Sequence, residues 1–329
     1  MSADVLVLRP LGLGDLLTAV PALRAVRRAL PTHRLVLAAP AALGRFAARA
    51  ACVDAFVHTT DDDRALAVPP PRIAIDMHGA GPSSLRRLLA TAPGRVVAFD
   101  RAGAPCGSLP WVDRDNPLEH ETERWCRLVR IGLGAAADAT DLALSVDDLG
   151  PVADVISDGR GVTIVHPGAS AGSRRWPPDR WAEVARSLTR DGHRVVVTGG
   201  RGERALAAGV AKLAGLPESA VLAGRTSLDQ LAKLVAGAAL VTSGDTGIAH
   251  LASAYRRPSV VLFGPVDPAL WGPPCHSRHA VVWHGLPTVD GRPGDAHGAQ
   301  LDPRLAQITV AEVLASCAAV THATAGEAA

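Results

Sequence analysis

Residues 5–39 read VLVLRPLGLGDLLTAVPALRAVRRALPTHRLVLAA. An apolar run, Val5–Leu8, gives way to a glycine-bearing turn, after which apolar residues recur at Leu16, Val20, Leu23, Val26 and Leu30 before a second apolar run at Leu35–Ala39. Spacings of three and four mark one face of a helix, and the runs on either side have strand length. Strand, helix, strand is the unit of a parallel sheet, because parallel neighbours need a crossover and a helix supplies it.

The same rhythm continues outward. Strands are expected at Ile73–Met77 and Val96–Phe99, with helices near Ser84–Ala92 and Glu119–Ile131. Residues 134–160 lose the pattern, running from an Ala-rich stretch into a polar one with Asp147, Asp148, Gly150, Asp158 and Gly159, which reads as a linker. Strands then resume at Val162–Val165, Val195–Thr198, Val221–Leu222, Leu240–Thr242, Val260–Phe263 and Val281–Trp283, with helices between most of them and a last helix at Val310–Ala319. Two doubly wound α/β halves put the expected ligand site in a cleft between them, at the carboxyl ends of strands.

Composition sets outer bounds. The chain has 329 residues, 48% apolar and 20% charged, which excludes disordered, collagen-like and small disulfide-stapled classes and favours two domains. Its 34 Lys+Arg against 32 Asp+Glu leave a formal charge of +2, too little to track a nucleic-acid backbone, so no nucleic-acid partner is expected. Lysine occurs only at Lys212 and Lys233, so the positive charge is almost all Arg, which favours bidentate contacts to phosphate or carboxylate. Five cysteines, Cys52, Cys106, Cys126, Cys275 and Cys317, with no CxxC pair, suggest neither a disulfide framework nor a zinc site. No signal-like leader and no run of about 18 apolar residues is present, and a cytoplasmic protein with no integral membrane segment is expected.

Three strand-to-helix turns carry the chemistry. The first, Arg9-Pro-Leu-Gly12-Leu-Gly14-Asp15, lacks the third glycine of a dinucleotide fingerprint, since position 17 is Leu17, and the second strand ends without an acid. A nicotinamide cofactor is therefore not expected. Asp15 reads either as a helix cap or as a base facing substrate. The second, HPGASAGSRRWPP at residues 166–178, offers small residues, Ser170 and the pair Arg174 and Arg175 to an anion; a solvated arginine pair beside a core Trp176 is the plainer alternative. The third, SGDTGIAHL at residues 243–251, exposes Gly244 and Gly247 at a helix start whose dipole suits a diphosphate, with Asp245 to accept hydroxyls; here the alternative is Asp245 as cap and His250 as a buried histidine.

Other catalytic signatures are missing. A single Asp-Thr-Gly does not make an aspartic protease, which needs two carboxylates, and GxxxxGK[ST], HExxH and GxSxG do not occur. The glycine turns at Gly199-Gly200 and Gly224-Arg225-Thr226 are candidates to line the same ligand pocket, and Arg9, Gly12, Gly14 and His78 are candidate site residues of the first half. The histidines are scattered, and no metal site is expected.

Taken in order, RPLGLGD with LLTAVPALRAVRRALP, HPGAS with RRWPPDRWAEVA, GRTSLDQLAKLVAGAALVTSGDTGIAHLASA, and FGPVDPALWGP resemble glycosyltransferase family 9, the ADP-heptose:lipopolysaccharide heptosyltransferases. The resemblance runs from residue 3 to about 272. It implies a GT-B fold: a Rossmann-like acceptor-side domain over 1–155, a Rossmann-like nucleotide-sugar domain over 156–305, and a C-terminal helix in 306–329 packing back on the first. It implies an inverting, metal-independent transfer of a sugar, a heptose from ADP-heptose or another ADP-sugar, to the hydroxyl of a glycan, lipid-linked or small-molecule acceptor, with no cofactor. Asp15 matches the family's catalytic base, and Asp245, Thr246 and Gly247 match its donor loop; the resemblance further implies a donor pocket completed by Gly199, Gly200, Gly224, Arg225 and Thr226 and an acceptor side at Arg9, Gly12, Gly14 and His78. Arg174 stands where well-known members carry Lys, a departure that bears on donor geometry because Arg is a planar fork and Lys a point charge. A nucleotide-sugar-binding protein or a sugar-nucleotide epimerase of the same fold, without glycosyl transfer, is the alternative.

Overall fold

The computed structural model describes residues 5–49, 52–62, 64–79, 82–100, 109–110, 116–147, 155–156, 160–289 and 291–327. Cys106 and much of the expected linker lie outside these residues. The chain forms two compact units, residues 1–150 and 151–329.

In the first unit, β1 (Val5–Leu8), α1 (Leu13–Ala29), β2 (Leu35–Ala39), α2 (Ala41–Arg49), β3 (Ala55–His58), β4 (Ile73–Asp76), α3 (Pro82–Leu89) and β5 (Arg95–Val97) are followed by a two-residue pair, β6 (Phe99–Asp100) with β7 (Leu109–Pro110), and by α4 (Glu121–Leu133). The sheet runs β3-β2-β1-β4-β5, all parallel. All four residues of β1 are fully buried, as expected for a central strand covered on both faces. Helix α4 ends at Gly134, whose φ of 67° is left-handed, with its N–H donated to Arg130 O.

The second unit repeats the plan. It comprises β8 (Val162–His166), a 3-10 turn at Gly172–Arg174, α5 (Pro178–Arg190), β9 (Arg194–Val197), α6 (Arg204–Ala214), α7 (Leu228–Ala236), β10 (Leu240–Gly244), α8 (Gly247–Ala254), β11 (Ser259–Leu262), α9 (Pro268–Trp271), β12 (His279–Val282), α10 (Pro303–Gln307) and α11 (Val310–Glu327). Its parallel sheet runs β12-β11-β10-β8-β9.

In both sheets the connection reverses direction beside the first strand. The reversal falls between β1 and β4 in one unit and between β8 and β10 in the other. At such a point the two neighbouring loops diverge to opposite faces and leave a crevice at the strands' carboxyl ends. Register lines those ends up: Leu8 pairs with Asp76, and His166 with Ser243. The three turns singled out by sequence follow β1, β8 and β10.

One expectation needed correction. The expected strand Val221–Leu222 is a single parallel bridge from Val221 to Val197, because a 3-10 turn at Glu218–Ala220 and Gly224 at φ 69° leave no length for a ladder. Helix α2 and strand β3 were not foreseen; β3 is a short, half-exposed edge strand and carries little apolar signal. The C-terminal helix α11 contributes Val313, Cys317 and Val320 to the core of the second unit.

That core centres on Trp176 and Trp181, packed edge to face with centroids 5.0 Å apart. Trp176 Nε1 donates to Ile308 O at 3.2 Å, and Arg180 donates to the same carbonyl at 2.8 Å, so the turn between α10 and α11 is tied to α5. Ile308 itself is fully buried. Ile308→Ala is expected to cost about 2–5 kcal/mol, as the lost burial and the cavity add, measured as a lower denaturant midpoint at unchanged slope.

Candidate functional site

In the first unit the site is built on the turn after β1. Gly12 occupies the N-cap position of α1, and Asp15, three residues on, turns its carboxylate back so that Oδ2 accepts the Gly12 N–H at 3.1 Å. A Cβ on Gly12 would stand 3.2 Å from that oxygen, so a glycine lets the carboxylate close in. The capping role foreseen for Asp15 is thus realised, yet its side chain keeps 30% exposure. Gly14 lies within the first turn of α1.

Arg9 was expected to face the acceptor. Instead its side chain is 1% exposed and enclosed by protein, because a buried guanidinium must find its partners there. Nε donates to Asp15 O at 2.9 Å, one terminal nitrogen donates to Met77 O, and the other stands 3.6 Å from both Asp15 Oδ1 and Glu121 Oε1. The guanidinium carbon lies 4.4 Å from the centroid of the Trp125 ring. Burial lowers the Arg9 pKa from its ordinary value, opposed by the charges of Asp15 and Glu121.

At the end of β4, the buried Asp76 accepts the His78 N–H at 3.0 Å and the Ser84 hydroxyl at 2.8 Å, and burial pushes its carboxyl up. His78 Nε2 stands 2.7 Å from Asp61 Oδ1, which ties the β4 loop to the segment after β3. Sequence reading missed Asp76, Glu121 and Trp125. Only the placement of Asp76 at a strand's carboxyl end offered a signal.

The second-unit site separates the two arginines. Arg174 turns inward: it donates to the Ser170 hydroxyl and to Asp245 O at 3.3 Å, and its guanidinium stands 3.6 Å from Asp245 Oδ2. Arg175 is exposed, with Nε donated to Ala169 O at 2.8 Å. Trp176 belongs to the core. The 3-10 turn carrying Arg174 is pinned from outside, since Ser173 N–H donates to Gly298 O at 2.9 Å. The Gly/Pro/His-rich segment after β12 is therefore a support for this turn.

Asp245 follows β10 directly and is almost buried, while Thr246 takes the N-cap position of α8 and makes no side-chain cap bond. A Cβ on Gly244 would lie 3.0 Å from Arg174 O, so the two loops approach through their backbones. Gly247 opens α8, and His250, half-buried, meets Trp271 edge-on at 5.9 Å.

On the other side of β8, Gly200 N–H donates to Glu203 Oε2 at 2.6 Å, and a Cβ on Gly168 would collide with the same carboxylate. Glu203 also opposes the lowering of the buried His166 pKa by desolvation. Gly224 N–H donates to Gly199 O at 3.0 Å, joining the two expected glycine turns; Thr226 is half-buried and Arg225 exposed. Glu203 was not among the expected residues.

The nearest approach to a basic run is spent internally. Arg24 and Arg28 pair with Asp141 at 2.7 and 2.8 Å, and Arg27 pairs with Asp54. Among the described residues no helix is long and apolar enough to cross a membrane, and no three His, Cys, Asp or Glu side chains gather as a metal site.

Similarity to known proteins agrees with this architecture. Escherichia coli ADP-heptose lps heptosyltransferase II superposes with a TM-score of 0.73 at 22% identity, over 99% of this chain and 100% of that one. In sequence, Lipopolysaccharide heptosyltransferase 2 of E. coli K12 is 33% identical over 119 residues, 35% of this chain and 34% of that protein. Lipopolysaccharide heptosyltransferase 1 of Pseudomonas aeruginosa PAO1 is 32% identical over 210 residues, 61% of this chain and 56% of that protein. The aligned sequence thus spans about a third to just over half of these relatives. The fold is that of a GT-B glycosyltransferase. Residues 72–290 match the profile of glycosyltransferase family 9 (heptosyltransferase), and the chain belongs to that family.

Proposed function

We propose that the protein transfers heptose from ADP-heptose to an acceptor hydroxyl in the cytoplasm, by one inverting displacement that uses no metal. The second unit binds the donor. Arg174, Ser170 and the start of α8 hold the diphosphate, with Arg175 at the rim; Asp245 and Thr246 take sugar hydroxyls, His250 stands behind them, and the loops at Gly199, Gly200, Gly224, Arg225 and Thr226 complete the pocket. The first unit presents the acceptor near Gly12, Gly14 and His78. The acceptor oxygen forms a bond to the anomeric carbon as the carbon–phosphate-oxygen bond breaks; its proton passes to Asp15, and the electron pair leaves on ADP. Arginine and backbone N–H groups supply the charge that a metal supplies elsewhere.

The observation that carries this reading is the convergence of Arg174, the Ser170 hydroxyl and the helix start after Asp245 at the reversal point of the second sheet. The test is thermal stabilisation by ADP, UDP, GDP and CDP and their sugars in EDTA, followed by transfer assays. A ligand at about 100 times its Kd adds ~2.7 kcal/mol. Selective response to ADP and ADP-heptose, with turnover undiminished by EDTA, is expected. Response to another base replaces the donor, turnover lost in EDTA and restored by Mg²⁺ refutes the metal-free step, and donor binding without transfer to any acceptor favours a binding protein.

A further inference from the structure

We propose that Arg9, Glu121 and Trp125 are positioning residues whose task is to fix the plane and direction of the Asp15 carboxylate for proton transfer. This rests on the reading of Asp15 as the base.

Six charged side chains of the first unit alternate in sign: Asp15, Arg9, Glu121, Arg124, Glu119 and Arg127. Arg9 faces Asp15 and Glu121; Arg124 pairs with Glu121 and stands 3.7 Å from Glu119; Arg127 grips Glu119 with two bonds of 2.6 and 2.8 Å. The five members behind Asp15 are between 1% and 12% exposed, against 30% for Asp15 itself. Taking such charges out of water costs more than packing apolar side chains in the same space, so a buried series is weak evidence of a stabilising role. What it does provide is direction.

Each Asp15 oxygen has its own neighbour: the Gly12 N–H for Oδ2 and the Arg9 guanidinium for Oδ1. Arg9 is fixed in turn by the carbonyls of Asp15 and Met77, by Glu121, and by the face of Trp125, whose Nε1 donates to Glu121 Oε1 at 3.0 Å. Glu121 sits in the first turn of α4, where the helix dipole favours an anion. A carboxylate is a weak base, so its geometry decides its usefulness. The network converts the packing of α1 on α4 into that geometry.

The test is Glu121→Gln, which keeps the shape and the acceptor for Trp125 while removing the charge that faces Arg9 and Arg124. Expected is a fall in kcat of about ten- to a hundredfold, the scale of misplacing a reacting group by about an ångström, with KM for donor and acceptor and the Kd for ADP unchanged. In the double variant Asp15→Asn/Glu121→Gln, turnover should equal that of Asp15→Asn alone, because Glu121 acts through Asp15. If Glu121→Gln does not fold, Trp125→Phe, which keeps a ring over Arg9 and deletes the bond to Glu121, should show the same split. Unchanged kcat in a folded variant, or additive losses in the double variant, overturns the inference while leaving the base reading intact. Retained turnover in Asp15→Asn overturns both.

Discussion

Asp15→Asn is expected to slow the proposed heptosyl transfer by at least about a hundredfold, since general-base assistance contributes on the order of 10²–10⁴, while the Kd for the proposed donor, ADP-heptose, stays unchanged. Asp15 is both a helix-capping group and, in the proposed mechanism, the proton acceptor, and the two roles make separable demands. The cap needs only an oxygen to accept the Gly12 N–H, which the asparagine carbonyl supplies, so stability should fall by less than the ~1 kcal/mol of a lost cap. Proton transfer needs a carboxylate, and an amide cannot take its place. Melting temperature, single-turnover transfer and donor affinity measured on one preparation separate the roles. A folded variant that binds donor but does not transfer supports the base; unimpaired transfer assigns Asp15 to the cap alone.

Arg174→Ala should weaken ADP binding by about 1.5–3 kcal/mol, roughly ten- to over a hundredfold, the range for hydrogen bonds to charged groups. Adenosine binding should change little. The contrast matters because Arg174 reaches Ser170 and Asp245 rather than open solvent, so its deletion also leaves the nearly buried Asp245 without that counter-charge. Calorimetry with ADP and with adenosine distinguishes loss of a diphosphate contact, seen with ADP alone, from collapse of the loop, seen with both. Arg174→Lys keeps the charge without the planar fork; ADP affinity close to that of the unsubstituted protein would show that charge matters more than the fork.

Much of the architecture was legible because a buried parallel strand is apolar along its whole length. Val5–Leu8 and Leu240–Thr242 could be placed from composition and length, and the helix between β1 and β2 from its spacing. The edge strand β3 escaped for the converse reason, being half-exposed, whereas Val221–Leu222, apolar and buried, was expected as a strand and makes one bridge because the turns on either side leave it no length. The turns after β1, β8 and β10 were found because glycines and polar residues interrupt apolar runs there, a local signal.

What the sequence by itself determined is therefore local and periodic: two βα-repeating halves, three strand-end turns, and the residue types that an anion and a proton acceptor require. Tertiary structure alone decided partnership. Arg9 and Glu121 are 112 residues apart, yet the packing of α1 on α4 sets them 3.6 Å apart in a nearly dry interior, and Arg174 and Arg175, neighbours in the chain, point to different surroundings. Such choices depend on which groups remain paired once water is excluded, and burial is a property of the assembled fold.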